Sequence, residues 1–126
     1  MKRILVVDDE PALRELFSEV LARAGYEVST ANDGAEALDR LRTESFDLLL
    51  LDIWMPRMTG LEVLGHLREH PSPPRVIVTT GDTTPETVLK AIREQAYRYI
   101  SKPCEPSHLE EVVRCALEAP AAPPPI

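Results

Sequence analysis

Basic residues are in short supply: 14 Lys and Arg stand against 21 Asp and Glu, a net charge of −7. Phosphate backbones and anionic bilayers recruit basic faces, so the deficit argues against direct nucleic-acid or membrane binding by this chain. Cysteine is scarce as well. Cys104 and Cys115 make no C-x-x-C pair and no His/Cys ligand cluster, so they read as reduced cytosolic thiols, neither a disulfide framework nor a zinc site. His66, His70 and His108 share no metal-ligand spacing and read as surface residues. Long apolar runs are missing too. Ile4-Leu5-Val6-Val7 is too short for the core of a signal peptide, and nothing approaches membrane-spanning length. The expectation is a soluble, cytoplasmic protein.

What is present fits one ordinary globular domain. The chain has 126 residues, and its 44% hydrophobic and 28% charged content rules against disorder over the whole length. A domain of this size buries roughly two thirds of its unfolded surface, enough to fold without a disulfide or structural metal. Five short apolar segments alternate with helical patterns. Ile4–Val7, Leu48–Leu51 and Val76–Val78 are continuous runs suited to strands buried on both faces. Tyr26–Thr30 alternates and reads as an edge strand, and Tyr97–Ile100 completes the set. Between them, Leu13, Leu16, Phe17, Val20 and Leu21 recur at helical spacing, with Arg14, Glu15, Glu19 and Arg23 facing away. Asp33 to Glu36 resembles a capping box for a second helix. Leu61, Leu64 and Leu67 mark the third, Val88, Ala91 and Ile92 the fourth, and Leu109, Val112, Val113, Ala116 and Leu117 the fifth. Thr84-Pro85-Glu86 reads as a helix start with Pro at its first position. This rhythm predicts β-α-β crossovers, a parallel sheet and helices on both faces. Residues 1–119 form the expected domain, and the Pro-rich segment 120–126 reads as a tail or a linker to a further domain.

In open parallel sheets, sites form beyond the carboxyl ends of the strands. The polar residues at those ends are Asp8 and Asp9, Asp52, Thr80 and Lys102. Taken singly, each has a plain explanation. Asp9 could cap a helix, Asp52 could cap a loop, Thr80 is an ordinary strand residue and Lys102 a solvated charge. Taken together they place three carboxylates, a hydroxyl and an ammonium on one edge.

This set resembles the receiver domain of bacterial two-component response regulators over nearly the whole chain. The matching elements are Val6-Val7-Asp8-Asp9-Glu10, Leu51-Asp52 followed by Met55-Pro56 and Gly60, Thr80-Gly81, and Tyr99 with Lys102-Pro103. The resemblance implies a flavodoxin-like (βα)5 fold with parallel strand order 2-1-3-4-5. It implies Mg²⁺, with Mn²⁺ as a substitute, held by Asp9, Asp52 and the Trp54 carbonyl, with Asp8 acting through water. Hard oxygen ligands suit such an ion, and crowded carboxylates need one. It implies Asp52 as phosphoacceptor, with Thr80, the Gly81 N–H and Lys102 binding phosphoryl oxygens. It also implies a cis bond before Pro103. Thr80 and Tyr99 would form a switch altering the surface made by the fourth helix, fifth strand and fifth helix.

The implied partners are a sensor histidine kinase or phosphotransfer protein and an output domain or effector. A homodimer through the switched surface on phosphorylation is a further expectation. Such a domain catalyses only its own phosphorylation and dephosphorylation and is not otherwise an enzyme. Three further positions bear on the comparison with the family, and Trp54 and Gln95 depart from its pattern. Trp54 is large for its place and either packs the loop or shields the acyl phosphate. Asp82 holds a position that influences the attacking water. Gln95 stands where Gly commonly permits a left-handed helix end. The competing readings are a phosphate-independent pseudo-receiver and an Asp-nucleophile phosphohydrolase. The first usually loses an acidic or Lys residue. The second needs an Asp two positions after the nucleophile, where this chain has Trp54.

Overall fold

The computed structural model describes residues 1–81 and 84–118. Asp82 and the proline-rich tail at 120–126, both singled out above, lie outside the described residues. The elements run β1 (Arg3–Val7), α1 (Pro11–Arg23), β2 (Glu27–Ala31), α2 (Gly34–Thr43), β3 (Leu48–Asp52), α3 (Gly60–Leu67), β4 (Arg75–Thr80), α4 (Glu86–Gln95), β5 (Arg98–Ser101) and α5 (Pro106–Glu118). The strands form one parallel sheet in the order β2-β1-β3-β4-β5. This is the flavodoxin-like arrangement, and the alternating chain places β2 at an edge as its amphipathic pattern requires.

Pleat alternation divides the core in two. Ile4, Val6, Leu48, Leu50, Ile77 and Ile100 pack against Phe17 and Leu21 of α1 and Leu109, Val112, Val113 and Ala116 of α5. Leu5, Val7, Leu49, Leu51, Val76 and Val78 face Ala37 and Leu41 of α2, Val63, Leu64 and Leu67 of α3 and Ile92 of α4. The four leucines of β3 serve both faces and are all at most 1% exposed. Burying each contributes about 1.5–3 kcal/mol before entropy is counted, which is why a run that could be helical by propensity stays a central strand.

Local chemistry sets the helix ends. The backbone of Gly25 has φ 99, closing α1 in a Schellman motif: its N–H donates to Ala22 O at 3.1 Å and the Tyr26 N–H to Leu21 O at 3.2 Å. Asp33 Oδ1 accepts the Glu36 N–H at 2.8 Å, and Glu36 reaches back to the Asn32 N–H at 3.1 Å, one residue before the cap. Pro85 is the N-cap of α4 rather than its first residue.

Three local expectations are revised. Leu16 is 41% exposed and stands outside the core, because the stripe on Phe17 and Leu21 already covers the sheet. His70 is half-buried: its Nδ1 accepts the Ser72 N–H at 3.0 Å, and its Nε2 sits 3.2 Å from Leu41 O near the end of α2. With Nδ1 accepting, Nε2 carries the proton and donates to that carbonyl. Gln95 stays helical with its amide donating to Ala91 O at 3.2 Å, and the chain leaves α4 at Ala96 in extended geometry (φ −113), so no left-handed residue is needed.

Candidate functional site

The carboxyl ends of β1, β3, β4 and β5 meet at one edge. Asp8 follows β1 and is 1% exposed, Asp52 ends β3 and is 5% exposed, and Asp9 projects into solvent. One carboxylate oxygen from each lies within 4.8 Å of the other two. Lys102, just after β5, sets its ammonium 3.0 Å from Asp8 Oδ2 and 3.4 Å from Asp52 Oδ1. Three carboxylates around one ammonium leave a surplus of negative charge. Hard oxygen donors in that number, one of them open to water, fit a magnesium ion.

The two buried carboxylates are held in place. Asp8 Oδ1 accepts the Glu10 N–H at 2.9 Å, and the Asp8 carbonyl accepts Arg14 Nη1 at 2.8 Å. Arg14 therefore belongs to the site's framework, a contact that its place on the polar side of α1 did not reveal. Asp52 Oδ1 accepts the Trp54 N–H at 3.3 Å. Burial pushes the Asp52 carboxyl up from 3.8 to about 6; Lys102 opposes the rise, and the Asp8 charge reinforces it. Burial alone would pull the Lys102 ammonium down, but its hydrogen bond to Asp8 and the charges of Asp52 and Asp8 leave it above its ordinary value.

Gly60 fits the loop for a reason beyond breaking a helix. A Cβ there would stand 2.7 Å from Asp52 O and 2.8 Å from Ile53 Cα, because α3 begins directly against the end of β3. The Gly60 N–H donates to Ile53 O at 2.8 Å. Arg57 turns the same loop at φ 69, a left-handed conformation costly for a side-chain-bearing residue. Beyond Asp52 the ladder continues, with the Ile53 N–H donating to Thr79 O at 3.1 Å.

Thr80 ends β4 and is 1% exposed; Gly81 follows it. By pleat alternation Thr80 and half-buried Tyr99 lie on the same sheet face, the one packed by α3 and α4. Tyr99 receives Arg93 Nη1 at 3.5 Å from α4. Thr79 takes the opposite face. Its hydroxyl is buried with no hydrogen-bond partner among the described residues, a feature that a Thr-Thr pair in sequence does not disclose. The Lys102–Pro103 bond is cis. Trp54 is 48% exposed at the rim, with its indole N–H donating to Thr84 Oγ1 at 3.2 Å. Of the cysteines, Cys115 is exposed, and burial pushes the half-buried Cys104 thiol up, away from reactivity. No helix among the described residues is long and apolar enough to cross a membrane.

A parallel five-stranded sheet with an acidic cluster and a lysine at its carboxyl edge defines a phosphoryl-signalling class of domain, and similarity to known proteins agrees. Residues 4–114 match the family described as the response regulator receiver domain, and the chain belongs to that family. It is 36% identical over 118 residues to the regulatory protein AtoC of Escherichia coli, covering 94% of this chain and 26% of AtoC. It is 38% identical over 116 residues to the DNA-binding response regulator MtrA of Mycolicibacterium smegmatis, covering 92% and 50%. The chain thus spans about a quarter to a half of these relatives. Among solved structures, the response regulator TrrA of Thermotoga maritima, in complex with Mg²⁺ and BeF, is 41% identical with a TM-score of 0.83, covering 93% of this chain and 100% of that one. The chemotaxis protein CheY4 of Vibrio cholerae is 31% identical with a TM-score of 0.86, covering 93% and 99%.

Proposed function

We propose that the domain accepts a phosphoryl group on Asp52 and converts it into a change of the α4-β5-α5 surface. The observation that carries this reading is the convergence of Asp8, Asp9 and Asp52 around Lys102 at the sheet's carboxyl edge. A carboxylate oxygen of Asp52 attacks the donor phosphorus, the bond from phosphorus to the donor's imidazole nitrogen breaks, and an acyl phosphate forms. Asp8, Asp9, Asp52 and the Trp54 carbonyl would hold Mg²⁺ or Mn²⁺, which supplies charge neutralisation for an anionic donor. Lys102 carries a cation to the same place and shifts from carboxylate to phosphoryl oxygen. Thr80 Oγ1 and the Gly81 N–H bind the remaining oxygens.

Thr80, drawn toward the phosphoryl group, vacates space on the face it shares with Tyr99, and Tyr99 rotates inward. This is a population shift driven by contacts present only in the phosphorylated state. Trp54 at the rim and Asp82 tune the lifetime of the acyl phosphate. The phosphodonor is a sensor histidine kinase or phosphotransfer protein in the cytoplasm. Residues 1–119 act as the receiver unit, with the Pro-rich 120–126 as a tail or linker; the switched surface contacts an output domain, an effector protein or a second copy. The domain's chemistry is confined to its own phosphorylation and dephosphorylation.

Intact mass after incubation with Mg²⁺ and a small acyl phosphate tests the reading. One phosphoryl adduct is expected in the wild type and none in Asp52→Asn or without divalent metal. An adduct that persists in Asp52→Asn, or none in the wild type, overturns it and favours a phosphate-independent interaction module.

A further inference from the structure

Trp54 is the chain's only tryptophan, and it stays 48% exposed beside the site. Packing therefore does not fix it; two hydrogen bonds do. Its backbone N–H donates to Asp52 Oδ1 at 3.3 Å, the oxygen that also lies 3.4 Å from Lys102 Nζ. Its indole N–H donates to Thr84 Oγ1 at 3.2 Å, across a separation of 30 residues. Thr84 immediately precedes Pro85, the N-cap of α4, which makes no side-chain capping bond. The Pro85 carbonyl accepts the Val88 and Leu89 N–H groups, both at 3.0 Å, so the strut meets the first turn of the helix. The Thr84 N–H donates to Gly81 O at 3.3 Å, tying the strut to the residue after Thr80.

We infer that Trp54 is a positioning residue that transmits the state of the Asp52 carboxylate to the start of α4 through Thr84. The inference rests on Asp52 being the phosphoryl acceptor. While ionised, the Asp52 carboxylate accepts a charge-assisted bond from the Trp54 N–H. Phosphorylation turns the carboxylate into a mixed anhydride and moves its charge onto the phosphoryl oxygens, the bond weakens, and the Trp54 N–H loses that restraint. The indole is rigid beyond two torsions, so displacement of the backbone moves its N–H relative to Thr84. This route reaches the first turn of α4, whereas the Thr80–Tyr99 route reaches β5. Trp54 thereby acquires a role distinct from shielding the acyl phosphate from water.

Thr84→Val removes the acceptor and keeps the side-chain shape; Thr84→Ser keeps the hydroxyl. The probe is Mg²⁺ with beryllofluoride, followed by ¹⁹F and ¹H–¹⁵N spectra, in which the single indole N–H is unambiguous. In the wild type, adduct formation should move the Ile53 amide, the indole N–H and the Glu86, Thr87 and Val88 amides. In Thr84→Val the ¹⁹F signal and the Ile53 response should remain. The free indole resonance should move upfield, and the three α4 responses should lose about half or more of their amplitude. Thr84→Ser should restore them. A full α4 response in Thr84→Val, or a serine variant that behaves like valine, overturns the inference. No ¹⁹F adduct in the wild type removes the acceptor reading and this inference with it, and is distinguished by the fluorine signal alone.

Discussion

The buried carboxyl of Asp52 has a cost that a single substitution can expose. Asp52→Asn keeps the shape of the side chain and removes its titration. Lys102 is not orphaned by the change, because Asp8 Oδ2 remains 3.0 Å from its ammonium. In metal-free buffer the folded carboxyl holds its proton up to about pH 6, whereas an unconstrained one releases it near 3.8. Between those values the folded state binds a proton that the unfolded chain has lost, so stability falls as pH rises across the window. The penalty is absent below 3.8 and fully present above about 6. Such a shift corresponds to ~3 kcal/mol at full strength. The site opens to water at the sheet edge, and screening reduces the figure to about 1–2 kcal/mol. Asp52→Asn should therefore be more stable than wild type by that amount above the window, with the advantage vanishing below it. Paired urea titrations in EDTA, repeated across a pH series, isolate the effect of Asp52 together with its pairing to Lys102 and Asp8, since the titrations of groups remote from the site cancel in the difference. Saturating Mg²⁺ binds the ionised carboxylate and should shrink the gap. A difference independent of pH, or one that grows toward acid, would refute the reasoning.

Three further substitutions probe the framework. Gly60→Ala places a Cβ 2.7 Å from Asp52 O, so thermal or urea unfolding should register a loss of about 1–3 kcal/mol; unchanged stability would mean the loop yields freely. Thr79→Val removes a buried hydroxyl that lacks a partner among the described residues and should stabilise by about 1–3 kcal/mol in the same assay, with destabilisation as the contrary result. Tyr99→Ala should leave the phosphoryl adduct intact by mass while the β5 and α5 amide responses to beryllofluoride collapse. Retained responses would separate Tyr99 from the switch.

The strands and their order of appearance were legible because buried parallel strands are written as short apolar runs, and Leu48–Leu51 lies between turn signals too close together for a helix. The site's charged residues were legible for a related reason: Asp8, Asp52 and Lys102 interrupt or follow those runs at the same end. What escaped were contacts that periodicity does not encode. Helical periodicity assigned Leu16 to the core and Arg14 to solvent, but Phe17 and Leu21 suffice to cover the sheet, and Arg14 folds back onto the Asp8 carbonyl. The Trp54–Thr84 bond joins two loops, and loop geometry leaves no periodic trace. Thr79 and Thr80 are chemically identical neighbours, and only the strand pleat decides that one hydroxyl enters the core while the other shares a face with Tyr99.

The ladder around the acceptor also has a mechanical meaning. Ile53 pairs with Thr79 O at 3.1 Å, and Lys102 N donates to Thr80 O at 2.6 Å, so the backbones carrying Asp52, Thr80 and Lys102 are bolted across three adjacent strands. The sheet is the stiff member, and compliance resides in side-chain torsions and in the helices that lean on them. A pull exerted at the edge does little work on the strands; it is delivered to whatever can turn or tilt. A frame of this kind keeps its shape under load and lets the load appear elsewhere, which is the property required of a part whose output lies on a different face from its input.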